Sequence, residues 1–144
     1  MKKKDREIIF NKYGGKCAYC GCELGKGWHV DETEPCVRIM KYVHGHQHPT
    51  TGEWVKSKTV FDRYEHPERL HIDNQNPACA SCNINKHSGS LEDFRKLIQG
   101  FMKHLNEVNT QYKIAKRYGL VIEDIKPVKF YFETLTGNEL EVKM

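Results

Sequence analysis

The sequence predicts a small α+β domain organised around a metal ion that cysteines hold, and three observations support this. Two Cys-x-x-Cys pairs, Cys17/Cys20 and Cys79/Cys82, lie far apart in the chain at matching spacing. Short stretches typical of strands fill the segment between the pairs, and an amphipathic helix follows the second pair. Four thiolates are a ligand set that suits zinc, so the sequence predicts a structural Zn²⁺ site.

Length and charge restrict the class of protein. With 144 residues, of which 38% are apolar, the chain is expected to form one domain, residues 1–106, and a packed extension, residues 107–144. The net charge of +4 fits a nucleic-acid partner without establishing one. No apolar run approaches the ~18 residues of a membrane span, and the charged amino terminus lacks a secretion signal. We therefore expect a cytoplasmic protein, where reduced Cys-x-x-Cys pairs favour a metal over a disulfide.

The amino-terminal half is expected to contain one helix and short strands. The helix over residues 5–13 should end at Gly14-Gly15, since glycine commonly follows a helix terminus. A tight turn at residues 17–21 then forms the first half of the cysteine site. Further along, the pattern predicts a strand at 28–31, a hairpin that pairs 37–43 with 53–56, and a loop over 61–77.

The carboxy-terminal half is expected to be mainly helical. A short helix is predicted to begin at Asn83, immediately after the second cysteine pair. Ser90 and Asp93 form a capping box, and apolar residues behind them recur at helical spacing as far as Asn106. A further helix is predicted over residues 110–118 and a short strand over residues 127–133.

Three stretches around the cysteines resemble the zinc-bearing branch of the HNH endonuclease family, and the layout is similar to HNH proteins common in bacteriophages. The resemblance implies a ββα-metal fold, in which a hairpin and a helix hold one divalent cation. It implies that Asp31 and Asn83 bind that cation and that Asn74 fixes the hairpin loop and orients the catalytic base. For a phage-encoded protein, the compartment would be the host cell cytoplasm. The matching stretches are Tyr13-Gly14-Gly15-Lys16-Cys17-Ala18-Tyr19-Cys20-Gly21, His29-Val30-Asp31, and Asn74 to Lys86 with its Pro77-Ala78-Cys79-x-x-Cys82-Asn83 core.

The expected base position departs from the family pattern, because Glu32 stands where the family has a histidine directly after the aspartate. Three alternatives remain open. Glu32 is itself the base, although a carboxylate with a reference pKa near 4.3 accepts protons less readily than histidine. His29 replaces it, since residues 29 and 31 share one face of a strand. Otherwise the site is weakened or inactive, because losing a general base typically costs about 10²–10⁴ in rate.

Other polar residues near the motif are candidate ligands or DNA contacts. His87 lies four residues after Asn83, so it is either an extra metal ligand or an exposed histidine. Arg38 and Lys86 are the candidate phosphate contacts, and the alternative for both is ordinary solvated charge. The alternating histidines at 44, 46 and 48 indicate either a second metal site or a polar turn.

The sequence therefore predicts a DNA endonuclease that hydrolyses phosphodiester bonds with one Mg²⁺ or Mn²⁺ ion, in addition to the structural zinc. A zinc-stabilised DNA-binding module that has lost cleavage is the first alternative, because of Glu32. A zinc-organised protein-interaction domain is the second. Asp31 and Asn83 favour the nuclease, since neither zinc scaffolding nor groove binding needs that pair.

Overall fold

The computed structural model describes residues 1–135 and shows a small α+β protein with short antiparallel strands. None of its helices in this range is long and apolar enough to cross a membrane. The elements are, in chain order, α1 Lys3–Asn11, β1 His29–Glu32, β2 Arg38–Val43, β3 His46–Gln47, β4 Trp54–Val55, β5 Lys58–Tyr64, β6 Gln75–Ala78, α2 Ala80–Lys86, α3 Leu91–Val108, α4 Thr110–Arg117 and α5 Tyr131–Thr134.

The centre of the fold is a two-stranded antiparallel hairpin followed directly by a helix. Strand β1 pairs with β6, with Asp31 opposite Asn76, and α2 begins two residues after β6 ends. The Cys79 sulfur caps α2 by accepting from the Cys82 backbone N–H, so helix α2 begins at Ala80 and not at Asn83 as predicted. The cysteine spacing therefore determines both a ligand pair and a helix start.

A tight turn around Cys17 brings the first cysteine pair to this hairpin. The Cys17 N–H donates to the Cys22 carbonyl at 2.9 Å, and Gly21 takes a φ of +73°, which glycine adopts at no steric cost. The Ala18 N–H donates to the Pro77 carbonyl at 2.8 Å. This bond ties the turn to β6 next to the second cysteine pair, although 58 residues separate the two pairs in sequence.

An extended arm, residues 38–64, is inserted between β1 and β6. Strand β2 pairs with β5, with an irregularity between Ile39 and Met40, and β3 pairs with β4 towards the tip. The predicted pairing of 37–43 with 53–56 is wrong, because residues 54–55 pair with 46–47 instead. The start of the predicted loop over 61–77 is strand as well. Its Phe61-Asp62-Arg63 run mixes charged and aromatic residues because the arm has no fully buried face.

Helix α3 confirms the predicted capping box and the amphipathic helix behind it, and α4 confirms the further helix predicted over residues 110–118. The Ser90 hydroxyl accepts from the Asp93 N–H, and the Asp93 carboxylate accepts from the Ser90 N–H. The predicted domain boundary after residue 106 lies inside α3.

The predicted strand over 127–133 is wrong, since its second half is the short helix α5. The Glu133 carboxylate accepts from the Phe130 N–H at 2.8 Å and pairs with Arg95, which closes a helical turn.

A compact aromatic core supports the cysteine turn. Phe130, 1% exposed, packs against the rings of Tyr19, Phe94 and Phe132. The buried members of this cluster are Cys17, Tyr19, Ala78, Phe94 and Phe130. The carboxy-terminal segment thus contributes the largest fully buried side chain, in one cluster with Cys17.

Candidate metal centres and cleft

The four cysteines of the two pairs converge on one point. Their sulfur atoms all lie within 4.8 Å of one another, and Cys20 Sγ and Cys79 Sγ are 3.8 Å apart. Within residues 1–135 they form the one group of three or more His, Cys, Asp or Glu side chains that is close enough to share an ion. The histidines at 44, 46 and 48 are not gathered in this way. The protein therefore has a four-sulfur site with the composition of a structural metal centre.

The thiols of this site influence one another strongly. A hydrogen bond from Cys82 lowers the pKa of Cys17, and the same contact raises the pKa of Cys82. Desolvation by burial raises the pKa of Cys20 as well. The contacts among these thiols therefore lower the pKa of one and raise the pKa of two others. A bound divalent metal reverses this by stabilising the thiolate form of all four ligands.

Asp31 lies beside this centre and is almost fully buried, with 5% of its surface exposed. Its Oδ2 atom accepts from the Tyr19 hydroxyl and lies 3.1 Å from the Lys86 ammonium. No side-chain nitrogen or oxygen in residues 1–135 is completely buried without a partner, so Oδ1, for which no hydrogen bond is seen, retains a small exposed surface. Burial raises the pKa of Asp31, and the bonds from Tyr19 and Lys86 oppose that shift.

The prediction that Lys86 is a surface phosphate contact is wrong. Its side chain is 1% exposed, and Nζ donates at 2.7 Å to the Glu32 carbonyl while pairing with Asp31. The reason is helical spacing: Lys86 lies four residues after Cys82, so it shares the inward face of α2. Lys86 therefore joins α2 to β1 and supplies positive charge to a buried carboxylate.

A cleft of about 470 Å³ is lined by five of the eight predicted site residues outside the cysteine cluster. Asp31 and Glu32 line it from β1, Asn83 and His87 from α2 and its end, and Arg38 from the base of the arm. Helix α2 ends at Lys86, so His87 belongs to the turn after the helix and not to its face. His29 is exposed and is not among the residues that line this cleft.

Asn74 holds the chain that leaves β1. Its Oδ1 accepts from the Glu34 N–H at 2.9 Å, and its Nδ2 donates to the carbonyls of Glu34 and Arg69. The Thr33 N–H also donates to the Asn74 carbonyl at 2.8 Å. Asn74, which is 7% exposed, thereby sets the path of the backbone immediately after Glu32.

Two residues at the rim of the cleft have unusual backbone conformations. Val37 has a φ of +45° and His87 a φ of +52°, and in residues 1–135 they are the two non-glycine residues with positive φ. For a β-branched residue such as valine this conformation is a genuine outlier. Such strain persists where the surrounding structure holds it, and it is often found at functional sites.

Sequence reasoning missed Tyr19, which donates to Asp31 from within the first Cys-x-x-Cys pair. Burial first, and then the neighbouring Asp31 carboxylate, raises the pKa of its hydroxyl, so Tyr19 remains a hydrogen-bond donor. The sequence did contain a signal: Tyr19 lies between two cysteines of the predicted metal site, where a side chain is expected to be buried and its hydroxyl therefore to need a hydrogen-bond partner.

Comparison with protein-family models, with curated proteins and with solved structures found no match. Two adjoining features of the structure indicate the function: a cluster of four thiols and, beside it, a cleft lined by a carboxylate, an amide and an imidazole.

Proposed function

We propose that this protein is a divalent-metal-dependent DNA endonuclease of the HNH type, stabilised by a structural zinc ion and working in the cytoplasm. The observation that carries the proposal is the shared cleft, which Asp31, Asn83 and His87 all line near the four cysteines. A hairpin followed by a helix supplies these residues, as the sequence resemblance implies for a ββα-metal site. A zinc site alone does not require a carboxylate, an amide and an imidazole around one cleft.

Zinc fits the four-sulfur centre by size. Zinc–sulfur bonds of about 2.3 Å in a tetrahedron imply sulfur–sulfur distances of about 3.8 Å. Cys20 and Cys79 lie at that separation, and all four sulfurs lie within 4.8 Å of one another. All four ligands are cysteines and no position is left for a substrate, so this ion has a structural role.

The oxygen-lined cleft suits a harder cation. Asp31 Oδ1 and the Asn83 amide oxygen are the kinds of ligand that Mg²⁺ and Mn²⁺ prefer, and His87 adds a nitrogen that Mn²⁺ accepts. When bound there, the cation offsets the negative charge that develops on the phosphate during hydrolysis. Lys86 Nζ lies 3.1 Å from Asp31 Oδ2, which leaves Oδ1 as the oxygen for the cation.

The remaining residues of the cleft have roles that their positions permit. Glu32 accepts the proton of the attacking water, since it lines the cleft and His29 does not. Asn74 positions this base through the backbone that follows it. Arg38, exposed at the rim, binds a phosphate of the DNA strand and holds the scissile bond over the site.

A second candidate function is a zinc-stabilised DNA-binding module without cleavage. The Lys86 ammonium favours it, because that charge already partly neutralises Asp31 and so weakens the attraction for a divalent cation. Glu32 in place of a histidine base favours it too. DNA binding without hydrolysis would then remain.

Supercoiled-plasmid nicking separates the two candidates. The zinc-loaded protein is assayed with Mg²⁺, with Mn²⁺ and with neither, since a chelator would remove the structural metal. We expect cleavage with Mg²⁺ or Mn²⁺, its loss in Asp31→Asn, and a fall of about 10²–10⁴ in Glu32→Gln. His29→Ala is the matched control on the same strand and should retain activity.

The two candidates differ in the outcome. Cleavage that survives Asp31→Asn refutes the metal assignment, and loss of activity in His29→Ala refutes Glu32 as the base. If the wild type binds the plasmid but does not nick it under any metal condition, the second candidate replaces the first.

A further inference from the structure

We propose that the arm, residues 38–64, is a binding platform for unpaired DNA bases, and that a row of aromatic rings on one face leads these bases away from the cleft. This inference deepens the proposed function and rests on it. We call the rings of Tyr64, Phe61, Tyr42 and His44 the aromatic row.

Strand pairing places these residues on one face. Residues 38, 40 and 42 alternate along β2, so their side chains point to the same side. Their partners directly opposite on β5 are Tyr64, Phe61 and Thr59. The irregularity in pairing brings Phe61 and Tyr64, three residues apart in sequence, to the same face, and their ring centroids are 5.0 Å apart. Beyond them, the rings of Tyr42 and His44 lie 4.9 Å apart.

The row begins at the cleft. Arg38 and Tyr64, the pair at the base of the arm, both line the cleft that contains Asp31. The next pair, Met40 and Phe61, and then Tyr42 follow at intervals of about 6.7 Å along the strand. A strand of DNA whose phosphate lies over the cleft can therefore continue along the arm, with Arg38 at the junction.

Among residues 1–135, two rings of the row, those of Tyr42 and Phe61, keep at least half of their surface exposed. Tyr42 is 55% exposed and Phe61 is 50% exposed. Single apolar residues on a surface need no explanation, but several on one face, here Met40, Tyr42 and Phe61, favour an interaction site. Aromatic side chains on a sheet stack on bases, and they do so with little regard for sequence because every base has a planar face.

The charge of the arm favours nucleic acid over protein as the occupant. Five Lys and Arg residues stand against two acidic residues in 38–64, a surplus of three, while the whole chain carries +4. The opposite face bears Lys41, Lys58 and Arg63. Asp62, at the irregular position, pairs with Arg63, and the paired residues on the face of the row include no acidic side chain; they are 38, 40, 42, 59, 61 and 64. Rings for bases and cations for phosphates form the usual combination in single-strand binding.

Fluorescence anisotropy tests the inference without any cleavage. The zinc-loaded full chain is titrated into a labelled 20-nucleotide single strand, and separately into a duplex of the same sequence, without Mg²⁺ or Mn²⁺. The variants are Tyr42→Ala and Phe61→Ala, each with its conservative counterpart, Tyr42→Phe and Phe61→Tyr. Tyr118→Ala is the matched control, because Tyr118 is 80% exposed after α4 and far from the arm in sequence.

We expect the single strand to bind more tightly than the duplex. Each alanine variant should raise the dissociation constant for the single strand by about 5- to 150-fold, the range that loss of one base–aromatic stack produces. The conservative variants and Tyr118→Ala should stay within about twofold. Zinc content and the urea midpoint verify that each variant is folded.

Three results would overturn the inference: unchanged affinity in both alanine variants, a wild type that prefers the duplex, or arm variants that alter the molecular mass in solution without altering DNA binding. The last result would identify the row as an interface between two copies of the chain. Because no cleavage is measured, a protein that binds through the arm but never nicks DNA supports this inference and refutes only the nuclease.

Discussion

Replacing Lys86 by methionine tests the central ion pair with little change in side-chain volume. The ammonium makes two contacts, at 3.1 Å to Asp31 Oδ2 and at 2.7 Å to the Glu32 carbonyl. The side chains of Lys86 and Asp31 are 1% and 6% exposed, so water cannot replace either contact. Removing one partner of a buried pair costs about 3–5 kcal/mol because it leaves an uncompensated charge. We expect Lys86→Met to lower the free energy of unfolding by that amount.

Urea unfolding followed by circular dichroism, with zinc present at pH 7, measures this loss. Lys103→Met is the matched control, since Lys103 forms a surface pair with Glu107 at 3.8 Å and is 78% exposed. That change should cost less than about 0.5 kcal/mol. A loss below about 1 kcal/mol in Lys86→Met would refute the reasoning, because it would mean that the pair is hydrated in solution.

The pH dependence of the same variant has a definite sign. Without Lys86, the pKa of Asp31 rises further, because the ammonium no longer opposes the effect of burial. The penalty in the variant comes from the ionised carboxylate, so it should shrink as the pH falls and Asp31 takes up a proton. Wild type and Lys86→Met should therefore differ most near neutral pH. An equal difference at pH 7 and pH 5 would contradict this account.

A divalent cation should partly replace the missing ammonium if Asp31 is a metal ligand. With a dissociation constant of ~1 mM, addition of ~10 mM Mg²⁺ would stabilise the folded variant by about 1.4 kcal/mol. The wild type should gain less, since its lysine competes for the same carboxylate. Equal gains in both proteins would indicate that the cation does not bind at Asp31.

Three further predictions concern the rest of the structure. The protein should contain one zinc ion per chain by mass spectrometry, and Cys17→Ser should lose most of this zinc and unfold at lower urea, whereas Cys36→Ser, at a buried cysteine outside the cluster, should retain the metal. Asn74→Ala should cost about 1–3 kcal/mol in urea unfolding, because it leaves part-buried backbone groups of the loop after β1 without partners, and Asn85→Ala on the exposed side of α2 should be nearly neutral. Hydrogen bonds from Lys116 and Asn106 lower the pKa of Glu123 to about 2, so the stability that this carboxylate contributes should be present above about pH 4.5 and lost as the pH falls towards 2. The melting temperatures of wild type and Glu123→Gln should accordingly converge over that interval. A constant difference would contradict a stabilising role for the hydrogen bonds to Glu123.

Much of the fold follows from local sequence signals that act within a few residues. The capping box at Ser90 and Asp93 and the helix behind it were predicted and are present. The four cysteines were predicted to meet, and their sulfurs do lie together. In both cases the signal is chemical and specific: a cap has a fixed offset, and two matching Cys-x-x-Cys pairs have few structural explanations other than a shared ion.

The arm could not be predicted in the same way, because its pairing depends on contacts that no local pattern encodes. The sequence pattern predicts a loop for the second half of β5, because Asp62 at an irregular position and the lack of a buried face disturb the alternation. For the same reason the pattern predicts a partner for β2 that is too near in sequence. The predicted strand near the carboxy terminus failed because Glu133 caps the Phe130 N–H, a contact reinforced from α3 by Arg95.

The error over Lys86 shows why the candidate site was harder to predict than the fold. Lysines are rarely fully buried in proteins, so a lysine after a metal-binding motif is expected on the surface. Only its position four residues after Cys82, on the same face of the helix, indicates that Lys86 points inward. The structure places that charge on the carboxylate that the proposed cation needs. An ammonium at Oδ2 and a cation at Oδ1 are compatible only if the carboxylate retains enough negative charge for both. The Tyr19 hydroxyl, which also donates to Oδ2, reduces that charge further. Whether Asp31 binds a divalent cation therefore distinguishes the nuclease from the DNA-binding module. The stabilisation of Lys86→Met by Mg²⁺ tests that binding.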